Sequence, residues 1–260
     1  MSTPPLSIGH RGAAKYVPEN TLESFRLAFE KGAGMIEFDV RTSKDGVPVI
    51  IHDARLERTT NGGGFVSQKT WAELKSFDAG FHFDPEKNQS YPFRGKGFKI
   101  PSLEEVLTAF TEKGLAIEIK ERSAELTKKV ISLIRKHRAG SRCVAGSKHD
   151  IVSQTLRRDC PDIIRFYSQR EIAGTYFDFR RNKNAAPDPF AVASMPLRSC
   201  GLSFDEKKWI DYLHAKKVRA FFWTINDPAV MSSLVSKKAD GIISDDPSLL
   251  ASVIRTLAES

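Results

Sequence analysis

Four short apolar runs in this sequence end in ionisable residues whose types and spacing could do chemistry. SIGHRG brings His10 and Arg11 to the end of one run, and MIEFDV interleaves Glu37 and Asp39 with Ile36, Phe38 and Val40. VIIHD ends in His52 and Asp53, and AIEIK carries Glu118 and Lys120. With the period of two that an extended chain imposes, Glu37 and Asp39 share one face, and so do Glu118 and Lys120. Taken singly, each has a plain structural explanation: a hydrogen-bonded strand-end histidine, an exposed edge strand, a surface ion pair. Taken together they conflict, because three carboxylates converging on one place repel one another and are driven towards protonation. A hard divalent cation relieves that conflict, and an all-oxygen donor set favours magnesium, calcium or manganese over zinc. Arg11 offers forked donors for phosphate oxygens, and Lys120 a compact positive charge. Two histidines able to exchange protons near neutral pH can serve as general base and general acid on opposite sides of a scissile bond. Cation, phosphate clamp and paired histidines describe phosphoryl transfer. No Walker-type glycine loop, G-x-S-x-G or H-E-x-x-H occurs, so kinase, α/β-hydrolase and zinc-protease readings have no support.

The elements that must position these residues alternate between strand and helix. Strands are predicted at 6–10, 35–40, 47–53, 115–120, 142–147, 162–168, 190–195, 218–225 and 240–244. Between most of them lie amphipathic helical patterns such as NTLESFRLAFEKG, SLEEVLTAF, DIVSQTLRRD, DPAVMSSLVSKK and DPSLLASVIRTLA. Asn20, Pro228 and Pro247 read as helix starts, and Gly32 and Gly34 close the first helix. Repeated alternation predicts an α/β fold, an eight-stranded (β/α)8 barrel with parallel strands inside and helices outside. Nine candidates are one too many. The excess falls at 35–53, where Lys44-Asp45-Gly46-Val47 is a hairpin turn signal. A two-residue turn at Asp45-Gly46 would pair Thr42 with Val49 and set Asp39 opposite His52. With either a hairpin or a parallel pair, the candidate groups fall at strand C-terminal ends, where barrel active sites are built. Residues 54–101 read as a Gly- and aromatic-rich insertion within one domain spanning 1–260.

At 260 residues and 40% hydrophobic content, the chain is long enough for one such barrel, and no stretch is apolar enough to span a bilayer. MSTPPLSIGHRG does not have the pattern of a secretory leader. Three cysteines, Cys143, Cys160 and Cys200, show no metal-ligand spacing and fit a reduced, cytoplasmic protein in which they pack. The net charge of +8 is concentrated at 120–183, with 16 Lys and Arg against 7 Asp and Glu. Much of this lies in ELTKKVISLIRKHR, where Leu126, Val130, Ile131 and Ile134 form an apolar stripe and the basic residues its wet face. Without interleaved aromatics to stack bases, a solvated helix is expected rather than a nucleic-acid partner, with a modest pull on phosphorylated substrates. Stable membrane insertion is not expected, and oligomeric state is not readable.

Across nearly the whole length the sequence resembles the glycerophosphodiester phosphodiesterases. The resemblance rests on HRG at 10–12, PENT at 18–21, IEFDV at 36–40, DGVPVIIHD at 45–53 and RTTNGGG at 58–64, followed by IPSLEEVL at 100–107, IEIK at 117–120, FWTIN at 222–226 and DGIISDDP at 240–247. It implies a β/α barrel with an insertion after the third strand, a bound divalent cation (magnesium or calcium, or else manganese), and hydrolysis of glycerophosphodiesters to glycerol 3-phosphate and an alcohol. Deacylated phospholipids such as glycerophosphocholine would be the substrates, placing the enzyme in lipid and glycerol metabolism. By the same resemblance Glu37, Asp39 and Glu118 are the metal ligands, His10 and His52 the acid–base pair, Arg11 a phosphate contact and Lys120 its electrostatic neighbour. The implied route has the glycerol 2-hydroxyl attack phosphorus and water open a cyclic phosphate. Trp223 either lines the substrate cleft or fills the barrel. Asn20 is expected to cap a helix, Glu19 to support Arg11, and Asp245 to be structural. Two alternatives stay open: a lysophospholipase D, with Phe65, Phe77, Phe81, Phe83, Tyr91, Phe93 and Phe98 lining an acyl channel rather than forming the insertion's own core, and a non-catalytic phosphodiester-binding barrel. A Schiff base at Lys120 is disfavoured, because Glu118 on the same face would keep that lysine charged.

Overall fold

A computed structural model describes residues 4–184 and 186–258. Residues 1–3, which belong to the stretch read for a leader, lie outside the described residues, as do 185, 259 and 260. Strands are β1 (Leu6–His10), β2 (Met35–Thr42), β3 (Pro48–Ile50), β4 (Gly114–Ile119), β5 (Cys143–Gly146), β6 (Ile164–Phe166), β7 (Ala191–Met195), β8 (Arg198–Ser199), β9 (Leu202–Ser203), β10 (Arg219–Phe222) and β11 (Gly241–Ser244). Helices are α1 (Leu22–Glu30), α2 (Trp71–Ser76), α3 (Leu103–Ala109), α4 (Ala124–Lys136), α5 (Asp150–Asp159), α6 (Gln169–Arg180), α7 (Lys207–Ala215), α8 (Pro228–Ser236) and α9 (Pro247–Ala258).

Strands β1, β2, β4, β5, β6, β7, β10 and β11 pair in parallel, and the β1–β2 pairing closes them into a barrel with helices outside. The period of two divides each strand between two cores. Ile36, Phe38, Val40, Leu115, Ile117 and Ile119 point outward and pack under α1, α3 and α4 together with Phe25, Val106 and Val130. Ile8, Met35, Ala116, Val144, Phe166, Val192, Phe221 and Ile243 form a separate cluster that plugs the barrel. One step further along the same faces the residues turn polar: His10 after Ile8, Glu37 after Met35, Glu118 after Ala116. The apolar plug is therefore the floor of the polar site.

β3 is the surplus strand and pairs antiparallel with β2. Its register differs by one from the predicted one. Thr42 pairs with Pro48, not Val49, so Asp39 lies opposite Ile51, whose N–H donates to Asp39 O at 3.0 Å, and not opposite His52. The cause is the turn. Ser43 N–H bonds Val47 O at 3.0 Å, leaving three residues in the loop, with Gly46 at φ 81° as the left-handed residue. A three-residue loop of this kind, not a two-residue one, sets the pairing.

The α4 stripe is as expected: Leu126, Val130, Ile131 and Ile134 are buried while Lys128, Arg135 and Lys136 face solvent. Residues 54–101 contain α2, started by a Thr70–Glu73 capping box, and a small core of Leu56, Val66, Leu74 and Ile100 backed by Phe77 and Phe98. The ring of Phe93 meets Phe83 and Phe98 edge-on, and Phe81 and Tyr91 flank the Arg94 guanidinium at 4.1 Å each. These aromatics pack on one another and on the insertion's own core, while Phe65 is exposed. Helix α6 and the β8–β9 hairpin were not anticipated. Cys143 and Cys160 are buried, but Cys200 is exposed, so packing is not its role.

Candidate active site

The chain leaves β1 through a sharp turn. Arg11 and Gly12 both have positive φ, 51° and 91°, and a Cβ on Gly12 would fall 2.3 Å from Ser24 Oγ. Only glycine allows α1 to approach this closely. The turn is tied down by Ala13 N–H donating to Ser24 Oγ at 2.9 Å and by Ser24 Oγ donating to Arg11 O at 3.1 Å. At the strand end, register pairs His10 with Glu37, and one step on pairs Asp39 with Glu118.

Glu37, Asp39 and Glu118 each present a carboxylate oxygen within 4.8 Å of the others. Glu37 and Asp39 are buried. Burial, with Asp39 and Glu118 nearby, pushes Glu37 up to about 8. Burial would raise Asp39 too, but Lys120, Arg11, His52 and the Asn20 hydrogen bond outweigh it and hold the carboxyl below its usual range. Lys120 Nζ bridges Asp39 Oδ1 at 2.9 Å and Glu118 Oε2 at 2.7 Å. Burial works against its charge, but Asp39 and Glu118 raise its pKa, which favours the charged amine over a Schiff-base nucleophile. The three hard oxygen donors could hold a magnesium-, calcium- or manganese-like ion, and the carboxyl pushed towards protonation marks where positive charge is lacking.

Arg11 Nε lies 3.2 Å from Asp39 Oδ2, and Nη1 donates to Glu19 Oε1 at 2.8 Å, as expected for Glu19. The contact with Asp39 is an ion pair without hydrogen-bond geometry, so the buried Nε has no hydrogen-bond partner. His10 Nδ1 is 2.6 Å from Asp245 Oδ1, and His52 Nδ1 is 2.6 Å from Asp53 Oδ1. Burial works against charge on both rings. The Asp245 bond and Glu37 prevail at His10, which is raised, whereas Asp39 and Asp53 offset burial only partly at His52, which is lowered. Trp223 follows β10 directly and is 44% exposed, which rules out barrel filling.

Asn20 is not the cap. Thr21 caps α1, accepting from Ser24 N–H at 3.2 Å, while Asn20, at φ 58°, donates from Nδ2 to Asp39 Oδ2 at 2.8 Å. The adjacent Thr, also a favoured cap residue, was the available signal. Asp245 proves to hold His10, and is itself held by Asn226 Nδ2 at 2.7 Å.

A cavity of about 580 Å³ lies elsewhere, lined by residues preceding β6, β7 and β10, including Pro161, Pro187 and Lys216. Its charges are largely spent on one another, with Arg165–Asp188 at 2.5 Å and Arg157–Glu171 at 2.7 Å. The strand-end cluster, with unlike-charged groups converging beside an under-compensated carboxyl, is the stronger candidate.

Comparison with known proteins points to one family. The model of the glycerophosphoryl diester phosphodiesterase family matches residues 10–249. A glycerophosphodiester phosphodiesterase of Caldanaerobacter subterraneus is 30% identical over 256 residues, covering 96% of this chain and 98% of the relative. One of Bacillus subtilis is 29% identical, covering 95% of this chain and 86% of the relative. The solved structure of an Oleispira antarctica phosphodiesterase in complex with the product sn-glycerol-3-phosphate superposes with a TM-score of 0.79 at 27% identity, covering 97% of both chains.

Proposed function

The chain belongs to the glycerophosphoryl diester phosphodiesterase family, and from that premise we propose that it hydrolyses glycerophosphodiesters to sn-glycerol 3-phosphate and an alcohol, using one divalent cation. The observation that carries this reading is the meeting of the Glu37, Asp39 and Glu118 oxygens within 4.8 Å, with His10 beside Glu37 and with Arg11 and His52 beside Asp39. These three carboxylates would hold the ion, magnesium or calcium in the first instance and manganese as the third candidate. Bound there, such an ion supplies Lewis-acid polarisation of a phosphoryl oxygen.

The chain's own residues do the rest. Arg11, oriented by Glu19 at Nη1 and by Asp39 beside Nε, binds the phosphate. Lys120 keeps Asp39 and Glu118 fixed and adds positive charge beside the phosphate. His10 and His52 share the acid and base roles. Asp245 and Asp53 occupy the Nδ1 of each ring, so each histidine exchanges protons through Nε2. Half-exposed Trp223 offers an apolar wall to the glycerol or head-group side. Absence of disulfides among the described residues suits a reducing, cytoplasmic setting.

Product identity tests the reading. Incubation with glycerophosphocholine or glycerophosphoethanolamine should release sn-glycerol 3-phosphate and the free alcohol. Release of phosphocholine and glycerol, or no release across a panel of head groups by folded protein, would contradict it.

A further inference from the structure

We propose that Arg58 is a positioning residue that couples the phosphate-binding Arg11 to the acid–base His52, an inference that rests on the functional reading above. Every guanidinium nitrogen of Arg58 is engaged. Nη1 and Nη2 donate to Glu19 Oε2 at 2.9 Å and Oε1 at 2.7 Å, a forked pair, while Nε donates to Asp53 Oδ2 at 2.5 Å. Each carboxylate uses its remaining capacity on one residue of the site. Glu19 Oε1 also accepts from Arg11 Nη1 at 2.8 Å, and Asp53 Oδ1 lies 2.6 Å from His52 Nδ1. The result is a chain of contacts, Arg11–Glu19–Arg58–Asp53–His52, with Arg58 at its centre.

The geometry needs an arginine. A planar fork with a third donor along its edge can face two carboxylates at once, which an ammonium cannot match. The loop that presents it is anchored without its help. Leu56 and Thr60 on either side are fully buried, Thr60 Oγ1 donates to Leu56 O at 2.9 Å, and Leu56 N–H donates to Gly64 O at 3.1 Å. Loss of the guanidinium therefore leaves the loop in place but releases the two carboxylates. Glu19 is then free to draw Arg11 away from substrate, and Asp53 to let the His52 ring turn. The first effect falls on binding, the second on turnover.

Steady-state kinetics on the full chain separate these effects. R58A lowers kcat/KM about 10- to 100-fold, the loss typical of partners that orient a working ligand. KM rises and kcat falls. In a D53N background R58A no longer lowers kcat further, and in an E19Q background it no longer raises KM, because residues acting in one network are non-additive. R58K does not restore wild-type kinetics. R55A serves as the loop control, since Arg55 pairs with Glu57 on the same segment and should leave kcat/KM unchanged. Should R58A fail to fold, R58Q serves in the same cycles. Additive losses, full rescue by R58K, or R58A no worse than R55A would overturn the inference while wild type remains active. A wild type that releases no glycerol 3-phosphate would overturn the functional reading and this inference with it.

Discussion

His10 Nδ1 lies 2.6 Å from Asp245 Oδ1, joining residues 235 positions apart at the seam where the first and last barrel strands pair. The contact occupies Nδ1, so any proton exchange by this ring falls to Nε2. Asp245 is itself held by Asn226 Nδ2 at 2.7 Å, so the carboxylate that orients the histidine has its own partner.

Substitution at this pair should separate chemistry from orientation. H10A or H52A should lower kcat about 10²- to 10⁴-fold, the usual contribution of a positioned acid or base. D245N should lower kcat by less than H10A and leave the melting temperature nearly unchanged. Rate measurements at saturating substrate check both, and a D245N enzyme with wild-type kcat would show that the bond is not needed.

Asn20 should matter chiefly through Asp39. N20A removes both the 2.8 Å bond donated to Asp39 Oδ2 and the 3.3 Å bond that Asn20 Oδ1 accepts from Asp39 N–H, without touching the Thr21 cap. Divalent-cation affinity or activity should fall about 10- to 100-fold, as for other groups that orient a ligand. Calorimetric titration of the cation reads this directly, and an unchanged affinity would argue against Asp39 as a ligand.

Thiol reactivity should single out one cysteine. Burial pushes the Cys143 thiol up to about 12 and raises that of Cys160, whereas Cys200 is exposed. A chromogenic disulfide reagent at pH 8 should titrate one thiol in native protein and three after denaturation. Three fast-reacting thiols in the native state would contradict this packing.

Acid should weaken the fold partly through Asp246. Burial opposes its charge, but Lys15 at 2.7 Å, Tyr16 at 2.7 Å and the Leu249 N–H lower its pKa in the folded state. The unfolded chain then binds more protons as pH falls. The stability Asp246 contributes is complete above the ordinary aspartate value of about 3.9 and is lost as pH falls through the lower folded value. D246N keeps an amide able to cap α9, so its melting temperature should depend less on pH between about 5 and 2 than that of wild type. Parallel curves would dismiss the effect.

Much of this was legible in the residues. Alternating apolar and acidic positions in MIEFDV and AIEIK place carboxylates on one face, and any barrel brings those faces together. The hairpin was readable but its register was not, because whether Asp45-Gly46 forms a two- or three-residue loop depends on Ser43 bonding Val47. Helix α6 was hidden by its composition. QREIAGTYFDFR carries Gly174 and mixed aromatics in place of a clean apolar stripe, although the Ser168–Glu171 capping box announces its start. The roles of Asn20, Asp245 and Arg58 depend on contacts between segments distant in sequence, which no local pattern encodes.

The measurement that tests the central claim most directly is glycerol 3-phosphate release from glycerophosphocholine in EDTA, followed by add-back of magnesium, calcium or manganese, for wild type and E37Q. The account predicts that wild-type activity disappears with chelator and returns with at least one of these ions, and that E37Q recovers far less at the same concentration. Full activity in EDTA after exhaustive dialysis, or E37Q indistinguishable from wild type, would contradict it.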